Sequence, residues 1–134
     1  MKKETTTVIV SGPSSSAVER TEGDVTFEFV SSAAEIVERL LTERPRLIVL
    51  LHSPPRFEGI ETARAVRNLE LEIPILLVLP HRDSFTRASG YQNGVTWCIE
   101  LDAEGKGSNT WQGVLTNVRE YYSGNERENR PLTN

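Results

Sequence analysis

Two stretches constrain this chain more than anything else in it. Leu47 to Leu51 is apolar at every position, and Ile73 to Leu79 is apolar at every position except Pro74. A strand with one wet face alternates, so a strand-length run that never alternates needs cover on both faces, as a central strand of a parallel sheet does. Pro74 has no N–H to offer and suits the first position of such a ladder. Three further runs of strand length, Thr7 to Val10, Val25 to Val30 and Val95 to Ile99, alternate with segments of helical period. Strands that alternate with helices build βαβ crossovers, and 134 residues suit one such domain.

Ser31 or Ser32 can cap a helix whose Ala34, Val37, Leu40 and Leu41 share a face and which ends near Pro45. Ile60, Ala63, Val66 and Arg67 follow the same spacing after Gly59, which predicts a helix running to about Asn68. A helix over residues 83–93 has Phe85, Ala88 and Tyr91 as apolar anchors and Gly90 inside, so it is expected to be short or mobile. The last helix, 109–122, displays Trp111, Val114, Leu115, Val118 and Tyr122 as a stripe, with Asn109 and Gln112 at capping-box spacing and Tyr121 turned outward. The first crossover, from Ser11 through Ser14, Ser15 and Ser16 to Glu22, has only Ala17 and Val18 as apolar residues. It reads as a loop or a single turn that leaves one sheet face thinly covered. Residues 1–6 read as a disordered leader, 7–123 as the domain, and 124–134 as a polar linker or tail.

A net charge of -4 and a pI near 5.3 give no basic footprint, which argues against nucleic acid and against anionic membranes as partners. Cys98 is the single cysteine and lies in an apolar run, so it reads as a buried thiol in a reducing compartment. The start, MKKETTT, has no apolar signal core, and cytoplasmic placement is the expectation.

The segment from Arg46 to Gly59, RLIVLLHSPPRFEG, places Pro55 and Gly59 four and eight residues after Leu51; Pro74 and Gly94 stand twenty residues apart. These spacings and the order of elements resemble the receiver domain of two-component response regulators over residues 5–123. The resemblance implies an α/β fold: a three-layer αβα, doubly wound, five-stranded parallel sheet of order 2-1-3-4-5, here with the first helix short or missing. It also implies that the family's chemistry is absent. The acidic pair that holds Mg²⁺ corresponds to Ser11 and Gly12, and the phospho-accepting aspartate to Leu51. The hydroxyl and aromatic switch positions correspond to Leu79 and Cys98, and the lysine to Leu101. Phosphoryl transfer is mostly positioning and charge stabilisation, so losing nucleophile, metal ligands and cation together removes it. The expectation is a non-catalytic pseudo-receiver with no cofactor and no metal. It would act by contact with other domains of the same or a partner signalling protein, a sensor kinase or transducer. The resemblance supplies the surface, the family's fourth helix, fifth strand and fifth helix, through which a homodimer is a further option.

The competing reading starts from the histidines. His52 follows the third strand and His81 follows the fourth by two residues, where a doubly wound sheet binds ligands. With Asp102 or Asp83 they would contact a small ligand or a transition metal; the simpler reading is that both are solvated loop residues. A one-residue shift of the third strand would put His52 at the acceptor position, against both matched spacings. The serine cluster matches neither phosphate-cradling glycine pattern.

Overall fold

Two continuous apolar runs do form the middle of a sheet. The computed structural model describes residues 6–11, 19–22, 25–69, 72–102 and 110–122. Its elements are β1 (Thr6–Ser11), β2 (Glu19–Glu22), β3 (Val25–Val30), α1 (Ala33–Thr42), β4 (Leu47–Leu51), α2 (Gly59–Asn68), β5 (Ile75–Leu79), α3 (Ser84–Gln92), β6 (Trp97–Glu100) and α4 (Trp111–Tyr122). The sheet order is β2-β3-β1-β4-β5-β6. The five strands other than β2 are all parallel, and among themselves they follow the order 2-1-3-4-5 of the doubly wound fold. Gly12, Asn109, the leader up to residue 5 and the tail from residue 123 lie outside the described residues.

Two layers of apolar side chains cover the sheet. On one face Ile9, Val30, Ile48, Leu50, Ile75, Leu77 and Leu79 pack with Ile36 and Leu40 of α1 and with Ala63 and Val66 of α2. On the other, Val8, Val10, Val25, Phe27, Leu47, Val49, Leu76 and Val78 pack with Val114, Leu115 and Val118 of α4. On the α4 face of β1 and β3, Val8, Val10, Val25 and Phe27 are buried and Phe29 is half-buried; residues 12–18 of the first crossover lie outside the described residues.

Several expectations are corrected. The first crossover contains β2, which runs antiparallel to β3 with Glu19 opposite Glu28 and Glu22 opposite Val25. Its sequence, ERTE, has no apolar pattern; the strand exists because Gly23 and Asp24 alone separate it from β3, the length of a tight hairpin connection. In α1 the buried residues are Ile36 and Leu40, while Leu41 is 73% exposed and Ala34 is also exposed. Ile36 outweighs Ala34 in the choice of face, and that rotation lets Arg39 reach Glu28 on β3. Ser32 is the N-cap, accepting from Glu35 N–H, and the Glu35 carboxylate accepts from Ser31 N–H at 3.0 Å, one residue before the cap.

In α3 the expected anchors fail. Phe85 is 85% exposed, Ala88 is exposed, and the buried residue is Gly90. A Cβ at Gly90 would lie 2.7 Å from Leu77 Cδ2, so the helix backbone itself rests on β5. Tyr91 contributes through its hydroxyl, which accepts from Cys98 N–H at 3.1 Å on the edge strand. β5 starts at Ile75; Pro74 stands just before it and offers its carbonyl to Ile48 N–H at 3.0 Å. β6 starts at Trp97 because Val95 N–H is tied back to Gly90 O. Tyr121 and Tyr122 are both half-buried and meet edge-on, 4.9 Å between centroids, so neither is the outward one. No helix among the described residues is long and apolar enough to cross a membrane.

Candidate functional site at the carboxyl edge of the sheet

In an open parallel sheet the reactive or ligand-binding edge lies at the carboxyl ends of the strands, where the topology reverses. Here those ends are Ser11 of β1, Leu51 of β4, Leu79 of β5 and Glu100 of β6. Ser11 pairs with Leu50 of β4 and Leu51 pairs with Val78 of β5. Strand side chains alternate faces, so Leu51 packs with the α4 layer while His52 falls on the opposite side with Leu50 and Ser11. Leu51 and His52 therefore do not share a groove.

The edge is apolar at three of its positions. Leu51 and Leu101 are half-buried against the α4 layer, and Leu79 is buried in the other. None carries an oxygen or nitrogen on its side chain. Ser11 is fully buried and its Oγ has no hydrogen-bond partner. Burial without a partner costs such a hydroxyl about 1–3 kcal/mol.

His52 is buried, and its role is set by its hydrogen bonds. Its backbone N–H donates to Val78 O at 2.9 Å, carrying the β4–β5 ladder one residue beyond β4. Its Nδ1 accepts from Gly59 N–H at 2.9 Å, at the first residue of α2. The N-cap residue Glu58 makes no side-chain cap bond, and the imidazole satisfies one of the N–H groups that the start of the helix leaves without an intrahelical partner. An Nδ1 that accepts carries no proton, so the ring is neutral with its proton on Nε2. Burial pushes its pKa down, against the opposing pull of Glu58 and Asp83. With Nε2 protonated, the one in-plane lone pair of the ring is on Nδ1 and is taken up by Gly59 N–H, so it is not free to act as a phosphoryl acceptor in this state.

Gly59 needs to be a glycine for space: a Cβ there would sit 2.9 Å from Leu77 Cδ1 and 3.3 Å from His52 Cβ. The connection before it closes on itself, with Ser53 N–H donating to Phe57 O at 2.9 Å and Phe57 N–H to Ser53 O at 3.0 Å, and buried Phe57 anchors it to the core.

At the β6 end the acidic groups hold α3. Asp83 caps it, accepting from Thr86 N–H at 3.0 Å and Thr86 O–H at 2.6 Å, and these bonds hold its carboxyl below the usual range. Glu100 accepts from Asp83 N–H at 3.1 Å and lies 3.7 Å from Arg87. His81 is exposed, with Nδ1 3.1 Å from Arg82 O, and Asp102 is exposed as well. Among the described residues no three His, Cys, Asp or Glu side chains are placed to hold a metal ion. Cys98 is buried and its thiol is pushed up to about 11, chiefly by desolvation, which suits a core residue and not a nucleophile. The His52–Gly59 bond and the Glu100–Asp83 bond were not anticipated; the strand alternation at Leu51 and His52 was the signal that could have pointed to the first.

This arrangement is the fold of response-regulator receiver domains. It is similar to the phosphorylated cyanobacterial phytochrome response regulator RcpA, with a TM-score of 0.66 and 16% identity over 90% of this chain and 96% of that one. The receiver domain of NarL from Mycobacterium tuberculosis gives 0.62 and 20% identity, covering 90% of this chain and 98% of the other. The signal receiver domain of an HD domain-containing protein from Pseudomonas fluorescens Pf-5 gives 0.62 and 13% identity, covering 97% of each. In sequence, 64 residues, 48% of the chain, are 33% identical to the alkaline phosphatase synthesis transcriptional regulatory protein PhoP of Bacillus subtilis, and they span 27% of that regulator's length. No protein-family model matches the chain.

Proposed function

We propose that this chain is a receiver-like signalling module of a two-component pathway that accepts no phosphoryl group and acts by protein contact in the cytoplasm. The observation that carries the reading is Leu51. It ends the strand, β4, that would carry the acceptor in a receiver fold, and a hydrocarbon side chain forms no acyl phosphate. Ser11 and Leu79 nearby replace a metal ligand and a phosphoryl-sensing hydroxyl.

The contact surface of this reading is α3, β6 and α4, the counterparts of the fourth helix, fifth strand and fifth helix named above. Phe85 stands 85% exposed in the first turn of α3, and Tyr91 is partly exposed one and a half turns on. Two exposed aromatic side chains give α3 apolar area of the kind protein partners use. The partners of this reading are domains of the same or a companion signalling protein, such as a sensor kinase or transducer, or a second copy.

The test is incubation with acetyl phosphate and Mg²⁺ followed by intact-mass measurement. The expected result is an unchanged mass; a phosphoryl adduct that hydroxylamine removes would overturn the reading.

A further inference from the structure

We propose that His52 is a proton-operated latch on α2: the neutral imidazole holds the first turn of the helix against β4, and a proton arriving at Nδ1 releases that turn together with the connection over residues 53–58. The proposal rests on geometry at the carboxyl edge and not on whether the chain accepts phosphate.

The latch has one bond at its centre. Gly59 N–H donates to Nδ1 at 2.9 Å, and no side chain at the N-cap position shares the task. Protonation turns the acceptor into a donor, so two N–H groups face each other at the positive end of the helix. Neither partner can slide away within the packed state. Gly59 lies so close to Leu77 and to the His52 backbone that even one added carbon would collide, and His52 is held in the sheet by its bond to Val78 O. The ring must therefore turn out or the first turn of α2 must lift. Lifting Gly59 draws on Phe57, two residues earlier, whose burial closes the connection onto the core.

The charged groups facing the ring are Glu58, from the connection, and Asp83, from the start of α3; both favour the imidazolium, and burial outweighs them. The direction of the linkage follows. An imidazole whose folded-state pKa lies below its unfolded value, about 6.5, contributes stability that is fully present above that value and is lost as pH falls through the folded pKa. Acid therefore weakens α2 at its start. Glu28 works in the opposite sense, since burial and Glu43 raise its pKa, so the two contributions are separable by substitution.

The decisive experiment uses the full chain with ¹⁵N-labelled histidine, followed by long-range ¹H–¹⁵N spectra and amide exchange from about pH 8 to about pH 5. The expected result at the alkaline end is a His52 ring with Nδ1 unprotonated, titrating below the ordinary imidazole value of about 6.5. The protection of the Gly59 amide should fall about tenfold across the range. In His52→Asn the amide oxygen can accept the same N–H and does not titrate, so Gly59 should stay protected at every pH. A His52 that titrates at or above about 6.5, or an acid-dependent loss of Gly59 protection that persists in His52→Asn, would overturn the latch. If the variant does not fold, the ring spectra of the unmodified chain decide the matter alone.

Discussion

The two ends of this sheet handle polar groups in opposite ways. At the amino end a single cation, Arg67 of α2, is woven into the backbone: Nε donates to Gly94 O at 2.9 Å, Nη1 to Ile73 O at 2.8 Å, and Nη2 to Thr96 Oγ1 at 3.3 Å. Thr96 Oγ1 in turn accepts from Ile75 N–H at 3.0 Å, so the entries of β5 and β6 share one network. At the carboxyl end Leu51, Leu79 and Leu101 present only hydrocarbon side chains, and Ser11 has a hydroxyl with no partner. His52, Asp83 and Glu100 do have partners there, and each holds the start of a helix. The amino end thus ties two strand entries together through one cation, while the carboxyl end uses its polar groups at helix starts.

The contrast breaks most readily at Arg67. Arg67→Ala should cost about 3 kcal/mol, because charge-assisted bonds to two carbonyls and a hydroxyl disappear together and leave partly buried acceptors unmet. The measurement is a denaturant midpoint with an unchanged slope. Arg67→Lys should recover only part of the loss, since a point charge cannot reproduce the fork. A cost below about 1 kcal/mol for the alanine would mean that the network is solvated and the two ends do not differ. Gly94 belongs to the same lock: its φ is +96°, and a Cβ would lie 2.5 Å from Arg67 Cγ.

A smaller effect tests the other end. Gly59→Ala removes a backbone freedom that α2 does not need, yet its methyl meets Leu77 and His52. Overpacking should outweigh the better helix propensity and leave a net loss of about 1 kcal/mol. The same variant should lengthen the bond to His52 Nδ1 and shift the ring's titration toward that of a free imidazole. Unchanged titration with the expected loss of stability would show that Leu77 alone carries the strain.

These two ends differed in how far the sequence disclosed them. β3 and β4 have the predicted bounds and α2 begins and ends where its spacing said, because uninterrupted apolar runs and a Gly-led helix leave little else for the chain to do. The places of Leu51, Pro55 and Gly59 were readable as offsets along one strand and loop. What was hidden depends on neighbours distant in sequence. Which face α1 buries was decided by Ile36 and by Arg39 finding Glu28, and α3 rests on Gly90 because Leu77 lies beneath it. β2 carries no apolar pattern, although Gly23-Asp24 ahead of a β-rich run is a recognisable hairpin signal. By sequence His52 fits a loop residue, a ligand contact or a displaced acceptor. Its bond to Gly59 needs the loop to fold back through Phe57, and no local pattern states that.

The gentlest test concerns Ser11, where the expected change is small and of the opposite sign. Under the proposed reading Ser11 stands where a receiver carries a metal-binding acid, whose removal is harmful. Here the hydroxyl is enclosed between Val30 and Leu50 as strand partners, with no hydrogen bond of its own. Ser11→Ala deletes the unmet group and leaves a cavity of a single oxygen, so stability should rise by up to about 1 kcal/mol, or at worst stay level. Valine at the same position would confound the test by overpacking, which makes alanine the right choice. Should Ser11→Ala instead lose more than about 1 kcal/mol in a denaturant titration, its hydroxyl must be bonded in solution. The carboxyl edge would then hold an ordered polar guest, and the opposition between a locked amino end and a vacated carboxyl end would fail at its most buried residue.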